Sequence, residues 1–338
     1  MKIAIIIRKY GNIFYETIDI HGEALASELR KQGHEVTILY LMKDNDFPGD
    51  NFHLPVHKAL FRKFDVIYGS SPRRYHGLLC LLFSFIKLNP FYFSVFDAKI
   101  EPITENKLGK VIFKILYKLK MVRPFAMSET QKKYFFLKLG IDLPVLKPCL
   151  IKFNQNFGKK FVKSGQPSIL FGGSFNDEKR GLGDLLEALV VIKKKYPEVK
   201  LIALNKYNYF ADPQNKFIKM AKSLGLDSNV EFKGLIPNID EEYSRAWVYT
   251  LPFNDFEYCP PLPFTIMEAM SFGCQIVSTQ FDYLRDILPE DCLIPKSRPD
   301  LLAAKIMEKF AEPQDSSELL KEFIPEKIAE IFLSLVKR

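Results

Sequence analysis

Apolar residues along this chain gather in short runs separated by stretches of helical period, the alternation expected of parallel β/α units. Lys2 to Arg8 is almost wholly apolar and rich in Ile, as in a strand covered on both faces. A loop from Lys9 to about Glu16 leads to a helix with Ile20, Ala24, Leu25 and Leu29 on one side. Gly33 closes that helix, and Val36 to Leu41 returns as a strand, completing a βαβ unit. Phe64 to Tyr68 and Tyr92 to Val95 read as further strands, and Ser128 with Gln131 forms a capping box opening a helix that ends near Gly140. The polar segment 152–166 reads as a linker.

The same order then begins again. Strand Ser168 to Phe171, a Gly-containing loop, a helix from about Leu182 to Lys195 stopped by Pro197, and strand Val199 to Leu204 start a second α/β domain. A helix ending at Gly225, strand Val230 to Phe232, a helix containing Glu241 to Ala246, and strand Trp247 to Leu251 follow. A Pro-rich loop, helix Phe264 to Phe272 closed by Gly273, and strand Gln275 to Thr279 complete the pattern. The reading is two Rossmann-like domains, 1–160 and 161–324, facing each other across a cleft at the C-terminal edges of their strands, where such folds bind ligands.

Composition narrows the class. With 338 residues, 47% apolar and 26% charged, the chain is long enough for two ordinary cores. Its longest apolar stretch, Gly77 to Ile86, is about half of a membrane span, and Met1 runs into the first strand without a signal-peptide pattern, so a cytoplasmic protein is expected. Five cysteines without a CxxC pair indicate neither a disulfide framework nor a zinc site. Asp44-Asn45-Asp46 reads as a solvated turn, and His53 with His57 as an incidental surface pair. No metal site, P-loop, GxSxG or nucleic-acid module is found.

Charge is unevenly spread. Residues 1–160 hold 26 Lys plus Arg against 14 Asp plus Glu, or +12, and the remainder holds 22 against 26, or −4, giving the total of +8. An anionic partner for the first half follows as an expectation. Lys107, Lys110, Lys114 and Lys118 fall at helical spacing, with Val111, Ile112, Ile115, Leu116 and Leu119 on another face. That helix either packs its apolar face on its own domain, lies on an anionic membrane surface through 107–121, or lines a nucleic-acid groove.

From Ser168 onward the chain resembles the family-4 (group 1) glycosyltransferases. The likeness is carried by AWVYTLPF from Ala246 to Phe253 and PFTIMEAMSFGCQIVST from Pro263 to Thr279. Gly172 to Gly181 with helix DLLEAL from Asp184, VEFKGLI from Val230, and QGHEVT from Gln32 support it. The resemblance implies a GT-B fold and a metal-independent, cofactor-free transfer of a sugar from a nucleotide-sugar donor, with retention. It further implies a helix 325–338 that returns to the first domain. A departing diphosphate needs cations and a helix N-terminus. Arg180 matches the family's phosphate-binding Lys, with Lys179 beside it. The helix at Phe264 would offer the Thr265 and Ile266 N–H groups, Glu268 matches the glutamate that holds the ribose, and Gly234, Leu235 and Ile236 match the loop receiving the base.

The sequence departs from the pattern at four places. Pro260 stands where a second glutamate is expected eight residues before Glu268, leaving Glu257 or Asp255 to supply a carboxylate. Gly173, followed by Ser174, replaces an arginine of the donor site. Phe96, with Asp97 next to it, replaces a histidine on the acceptor side, and Gly11-Asn12 replaces a Gly-Gly pair there. Two readings follow: a transferase acting on a glycan or lipid-linked acceptor, peripheral on the inner face of a membrane, or a catalytically inactive scaffold of the same fold.

Overall fold

The computed structural model describes the chain apart from residues 11–16, 44–52, 71–73, 96–105, 151–155, 157–160, 162, 174–177, 206–211, 213–214, 237, 314–316 and 338. The side chains of residues 8–10, 17–20, 43, 74–77, 257 and 317 are likewise outside the description. Two compact units emerge, Met1–Asn154 with Glu322–Arg338, and Gln155–Lys321.

Unit 1 is built on strands β1 (Lys2–Tyr10), β2 (Glu35–Lys43), β3 (His53–Pro55), β4 (Val66–Gly69), β5 (Phe91–Ser94) and β6 (Val122–Phe125). They form one sheet in the order β3-β2-β1-β4-β5-β6, parallel throughout. Among the described residues its α-helices are α1 (Thr17–Lys31), α2 (Arg74–Ile86), α3 (Lys107–Lys118) and α4 (Glu129–Leu139). Alternating side chains of β1 divide the core. Ile3, Ile5 and Ile7 pack with α1, while Ala4 and Ile6 face Ala59, Cys80 and Phe83, Phe113 of α3, and Phe135 and Leu139 of α4. α2, α3 and α4 therefore share one face of the sheet.

Local chemistry sets the element ends. Gly33 at φ 83° and Gly140 at φ 67° terminate α1 and α4 in the left-handed region. Ser128 Oγ accepts from the Gln131 N–H at 3.2 Å, opening α4. The buried Gln131 amide does not close a box on Ser128. It accepts from Met127 N–H at 2.7 Å and donates to Val95 carbonyl at 2.9 Å, tying α4 to the end of β5. His53 is also not a surface residue of an incidental pair: its ring lies on Glu23 of α1 at 3.0 Å, with its side chain only 8% exposed.

Unit 2 repeats the design with β7 (Ser168–Gly173), β8 (Lys200–Asn205), β9 (Val230–Lys233), β10 (Val248–Leu251), β11 (Gln275–Thr279) and β12 (Leu293–Ile294). The parallel order is β12-β11-β10-β7-β8-β9. Among the described residues its α-helices are α5 (Leu182–Lys195), α6 (Lys216–Ser223), α7 (Ile239–Arg245), α8 (Phe264–Ser271), α9 (Asp282–Arg285) and α10 (Pro299–Ala311). The last helix, α11 (Pro325–Val336), belongs to unit 1. Ile328, Ala329, Phe332 and Val336 are buried beside α1, and the Phe332 ring stands edge-on to Tyr68 at 5.2 Å. All five cysteines are free and buried.

A buried polar chain crosses unit 1. The Cys149 N–H donates to His21 Nδ1 at 2.8 Å, so the ring proton sits on Nε2, which meets Tyr68 Oη at 3.0 Å; Tyr68 in turn lies 2.6 Å from Ser94 Oγ. Burial lowers the His21 pKa from 6.5 to about 3, because a charged ring has no solvent there. Between those values the unfolded chain binds a proton that the folded chain refuses. Acidification from pH 6.5 toward 3 should therefore remove ~1.4 kcal/mol of stability per pH unit through this group. Urea titrations of the native chain and His21→Gln across that window test it: the slope of stability against pH should be shallower in the variant.

Candidate functional site

Strand order reverses at β7. From β7 the chain moves outward to β8 and β9, then returns to the other side of β7 as β10 and continues outward to β11 and β12. Loops after β7 and β10 consequently leave adjacent strand ends in opposite directions, the switch point at which open α/β sheets bind ligands. Unit 2 places its candidate residues around this point.

The loop after β7 ends in a turn carrying Lys179 and Arg180, then Gly181 at φ 82°. A Cβ at Gly181 would lie 2.0 Å from the Pro252 carbonyl oxygen, so only glycine lets this loop touch the one after β10. The Asn254 N–H donates to the Lys179 carbonyl at 2.8 Å, a second tie between the loops. Buried Ser278 and Thr279 of β11 donate to the Leu251 and Phe253 carbonyls at 2.6 and 2.9 Å, holding the exit from β10.

Arg180 Nη1 reaches the Gly172 carbonyl at 3.4 Å, and its guanidinium lies 5.8 Å from the centre of the Phe253 ring. Burial pushes the Cys259 thiol up to about 12, and the Arg180 charge opposes that rise. Lys179 Nζ pairs with Asp255 at 3.2 Å. Of the two carboxylates that could replace the one lost at Pro260, Asp255 is thus engaged with Lys179, while the Glu257 side chain lies outside the described residues.

Helix α8 begins at Phe264 after Pro263, with no side-chain cap and no acidic residue in its first turn. One expectation fails here. The Ile266 N–H is bonded to the Pro263 carbonyl at 3.0 Å, because the helix opens with a tight turn, so it is not an outward donor. The Thr265 N–H precedes the intrahelical ladder, and the Thr265 side chain lies beside the Tyr249 hydroxyl. Glu268, one turn on, accepts from Tyr243 Oη at 3.4 Å. Burial, reinforced by the Glu268 charge, keeps the Tyr243 phenol protonated well above its ordinary range. Gly234, Leu235 and Ile236 follow β9, with Leu235 half exposed.

The structure therefore brings Gly173, Lys179, Arg180, Thr265 and Glu268 to neighbouring strand and helix ends of one sheet. Ser174, Gly11, Asn12, Phe96 and Asp97, and the Asp44 to Asp46 run, lie outside the described residues. Sequence reasoning missed the two buried tyrosines. Tyr249 closes over Gly172, where a Cβ would sit 2.4 Å from its hydroxyl, and Tyr243 steadies Glu268. It also missed Lys163, whose ammonium donates to the Tyr243, Ser244 and Phe272 carbonyls at 2.8 to 3.0 Å. That single cation joins the C-terminal ends of α7 and α8. Nothing in the local pattern distinguishes these residues from ordinary core and surface positions.

Residues 166–311 match the family model for glycosyl transferases group 1. Unit 2 is thus similar to group 1 glycosyltransferases over most of its length. A poly(glycerol-phosphate) alpha-glucosyltransferase of Bacillus subtilis is 27% identical to this chain over 272 residues, 76% of this chain and 34% of that protein. A phosphatidyl-myo-inositol mannosyltransferase of Mycobacterium tuberculosis is 21% identical over 240 residues, 68% of this chain and 57% of that protein. The chain thus spans about a third to just over half of these relatives. Among solved structures, a glycosyltransferase from Rickettsia africae superposes with a TM-score of 0.74 over 99% of this chain and 97% of its own, at 14% identity. The Anabaena HepE protein, solved with UDP and glucose, gives 0.72 over 100% and 99%, also at 14% identity. The architecture is GT-B, two parallel six-stranded sheets with alternating helices.

The Gly181 contact makes a direct prediction for unit 2. Gly181→Ala must either leave the left-handed region or displace Pro252, at a cost above ~1 kcal/mol. The urea midpoint should fall accordingly; an unchanged midpoint would mean that the two loops do not touch.

Proposed function

We propose that the chain transfers a sugar from a nucleoside diphosphate sugar to a glycan or lipid-linked acceptor, with retention of configuration and without a metal ion or cofactor. One observation carries the reading. At the switch point of unit 2, Arg180 and Lys179 stand on the loop after β7 while α8 presents an N-terminus without an acidic first turn. Together they offset the charge that grows on a departing diphosphate. Thr265 serves the same phosphates, Glu268 takes the ribose hydroxyls on a carboxylate steadied by Tyr243, and Gly234 to Ile236 receive the base. The bond from the sugar carbon to the diphosphate oxygen breaks as the bond to the acceptor oxygen forms on the same face. A phosphate oxygen of the leaving group takes the acceptor's proton, so no separate base is assigned.

The acceptor belongs to unit 1 on grounds of charge, its first 160 residues carrying a net +12. The names of the Bacillus and mycobacterial relatives point to phosphate-bearing acceptors, one a polymer and the other a lipid. α3 is assigned to an anionic membrane surface, with Lys114 and Lys118 exposed on it, and the assigned place is peripheral on the cytoplasmic side. Among the described residues no helix is long and apolar enough to cross a membrane. The scaffold reading draws on Pro260 and on the engagement of Asp255 by Lys179.

Thermal unfolding against UDP, GDP, ADP and TDP and their sugar conjugates decides between the two. One base should raise the midpoint by mass action, and Arg180→Ala should abolish the rise and lower turnover about 100-fold or more. If no nucleotide shifts the midpoint even at millimolar concentration, the chain is a scaffold.

A further inference from the structure

α3 is amphipathic, but the structure turns it the other way from the packing expectation. Only Phe113 is buried, with Leu116 and Tyr117 partly so, while Leu108, Val111, Ile112, Ile115 and Leu119 face outward. The neighbouring α2 does the same. Cys80 and Phe83 enter the core, and Leu78, Leu79, Leu82, Phe85 and Ile86 stay exposed. Sixteen of the twenty exposed large apolar side chains among the described residues lie in unit 1, against four in unit 2. Fifteen of those sixteen stand on the turn before β4, on α2 and the turn after it, and on α3 and α4. Patches of this extent mark an interaction surface.

Two of these residues have no intramolecular reason to be apolar. Phe61, at the tip of the turn before β4 and next to Arg62 and Lys63, is 98% exposed. Lys87 pins that turn to the end of α2 by donating to the Leu60 and Arg62 carbonyls. Leu88 has φ 56° and is 88% exposed, although the backbone there favours Gly or Asn and solvent favours a polar residue. Between α2 and the segment running from the end of β3 to Leu60 opens a groove of about 660 Å³, lined by Leu79, Leu82, Phe83 and Ile86 on one side and by Tyr40, Leu41, residues 55–58 and Leu60 on the other. That volume lies in the ~300–1,000 Å³ range of small-ligand sites.

We propose that this side of unit 1 lies in the headgroup region of an anionic bilayer and that the groove takes an acyl chain of one of its lipids. The proposal shares the membrane-facing reading of α3 and adds a second, apolar anchor with a lipid site. Charge selects the occupant. Residues 56–138 hold 16 Lys plus Arg against 5 Asp plus Glu. Two copies of the chain meeting through this face would oppose like charges, whereas an anionic bilayer complements them. A small soluble ligand would fill the groove and leave the surrounding apolar surface in water. A bilayer covers both, with lysine stems running along the apolar surface and their ammonium groups at the phosphates.

The test is flotation of the full chain with phosphatidylcholine vesicles, with and without phosphatidylglycerol. Binding is expected only with the anionic lipid, and Phe61→Ser, Leu79→Ser and Leu82→Ser should each weaken it about tenfold. Leu88→Asn should raise the thermal midpoint in solution and yet reduce vesicle binding, a pair of opposite effects that misfolding cannot produce. The fluorescence of Leu82→Trp should shift to the blue on vesicles and be quenched by a chain-labelled doxyl phosphatidylcholine, against the baseline of Trp247 in the native chain. Unchanged flotation in the apolar variants, or an unquenched tryptophan, overturns the proposal. If Lys114→Glu with Lys118→Glu still abolishes binding in that case, the electrostatic reading of α3 survives alone. A dimer in solution that the same apolar substitutions dissolve would assign the face to a second copy instead. The nucleotide-induced thermal shift should persist in every one of these variants.

Discussion

A parallel ladder cannot be closed by hairpins, so each strand must be followed by a crossover, and both faces of the sheet end up apolar and in need of cover. That requirement arranges most of this molecule. In unit 1, β1 presents Ile3, Ile5 and Ile7 to one face and Ala4 and Ile6 to the other. The first face has α1 from the local crossover but needs more, and α11 supplies it, which is why the chain end belongs to the unit in which the chain began. The second face is covered by α2, α3 and α4. The same requirement leaves the strand ends as the places where backbone and loops are free to serve a ligand, and the order reversal at β7 makes one such place a crevice.

Coverage explains what is buried and, by difference, what is not. Among its described residues α2 turns Cys80 and Phe83, with part of Leu81, to the sheet, and α3 turns Phe113 with parts of Leu116 and Tyr117. Their outward leucines and isoleucines contribute nothing to that shielding and are costly in water. Unit 2 shows the contrast: α5 buries Leu182, Leu185, Leu186, Leu189 and Ile192 and has only Val191 among its exposed large apolar residues. Two units of one architecture thus differ in how their outer helical surfaces are composed, and the difference follows the +12 and −4 charge division.

The architecture is legible from periodicity because buried parallel strands are short apolar runs and their helices carry clear stops. Gln275 to Thr279 agrees with the sequence reading to the residue, and the helix read from about Leu182 to Lys195 is found there. Edge strands are harder. β3 ends in Pro55 and β6 contains Arg123 and Pro124, residues that argue against a central strand but are tolerated where one side of the ladder is open. α2 was hidden by being apolar on both sides, and α3 shows that a hydrophobic stripe reveals amphipathicity without saying which side turns inward. In the candidate site the cations and the helix start were readable as residues after strand ends. Tyr243, Tyr249 and Lys163 were not, because their roles depend on partners that are remote in sequence and meet only in the folded unit.

The departures at the candidate site bear on the proposed activity through energetics rather than through motif agreement. Pro260 removes one carboxylate, and Asp255 now stands against Lys179 at 3.2 Å. The Lys179 side chain is 47% exposed and that of Asp255 29%, so the pair is screened by water and holds the lysine with no more than about 1 kcal/mol. A diphosphate carries more charge and accepts charge-assisted hydrogen bonds at several oxygens, each worth about 1.5–3 kcal/mol. In the proposed reading it would compete with Asp255 for Lys179 at small cost.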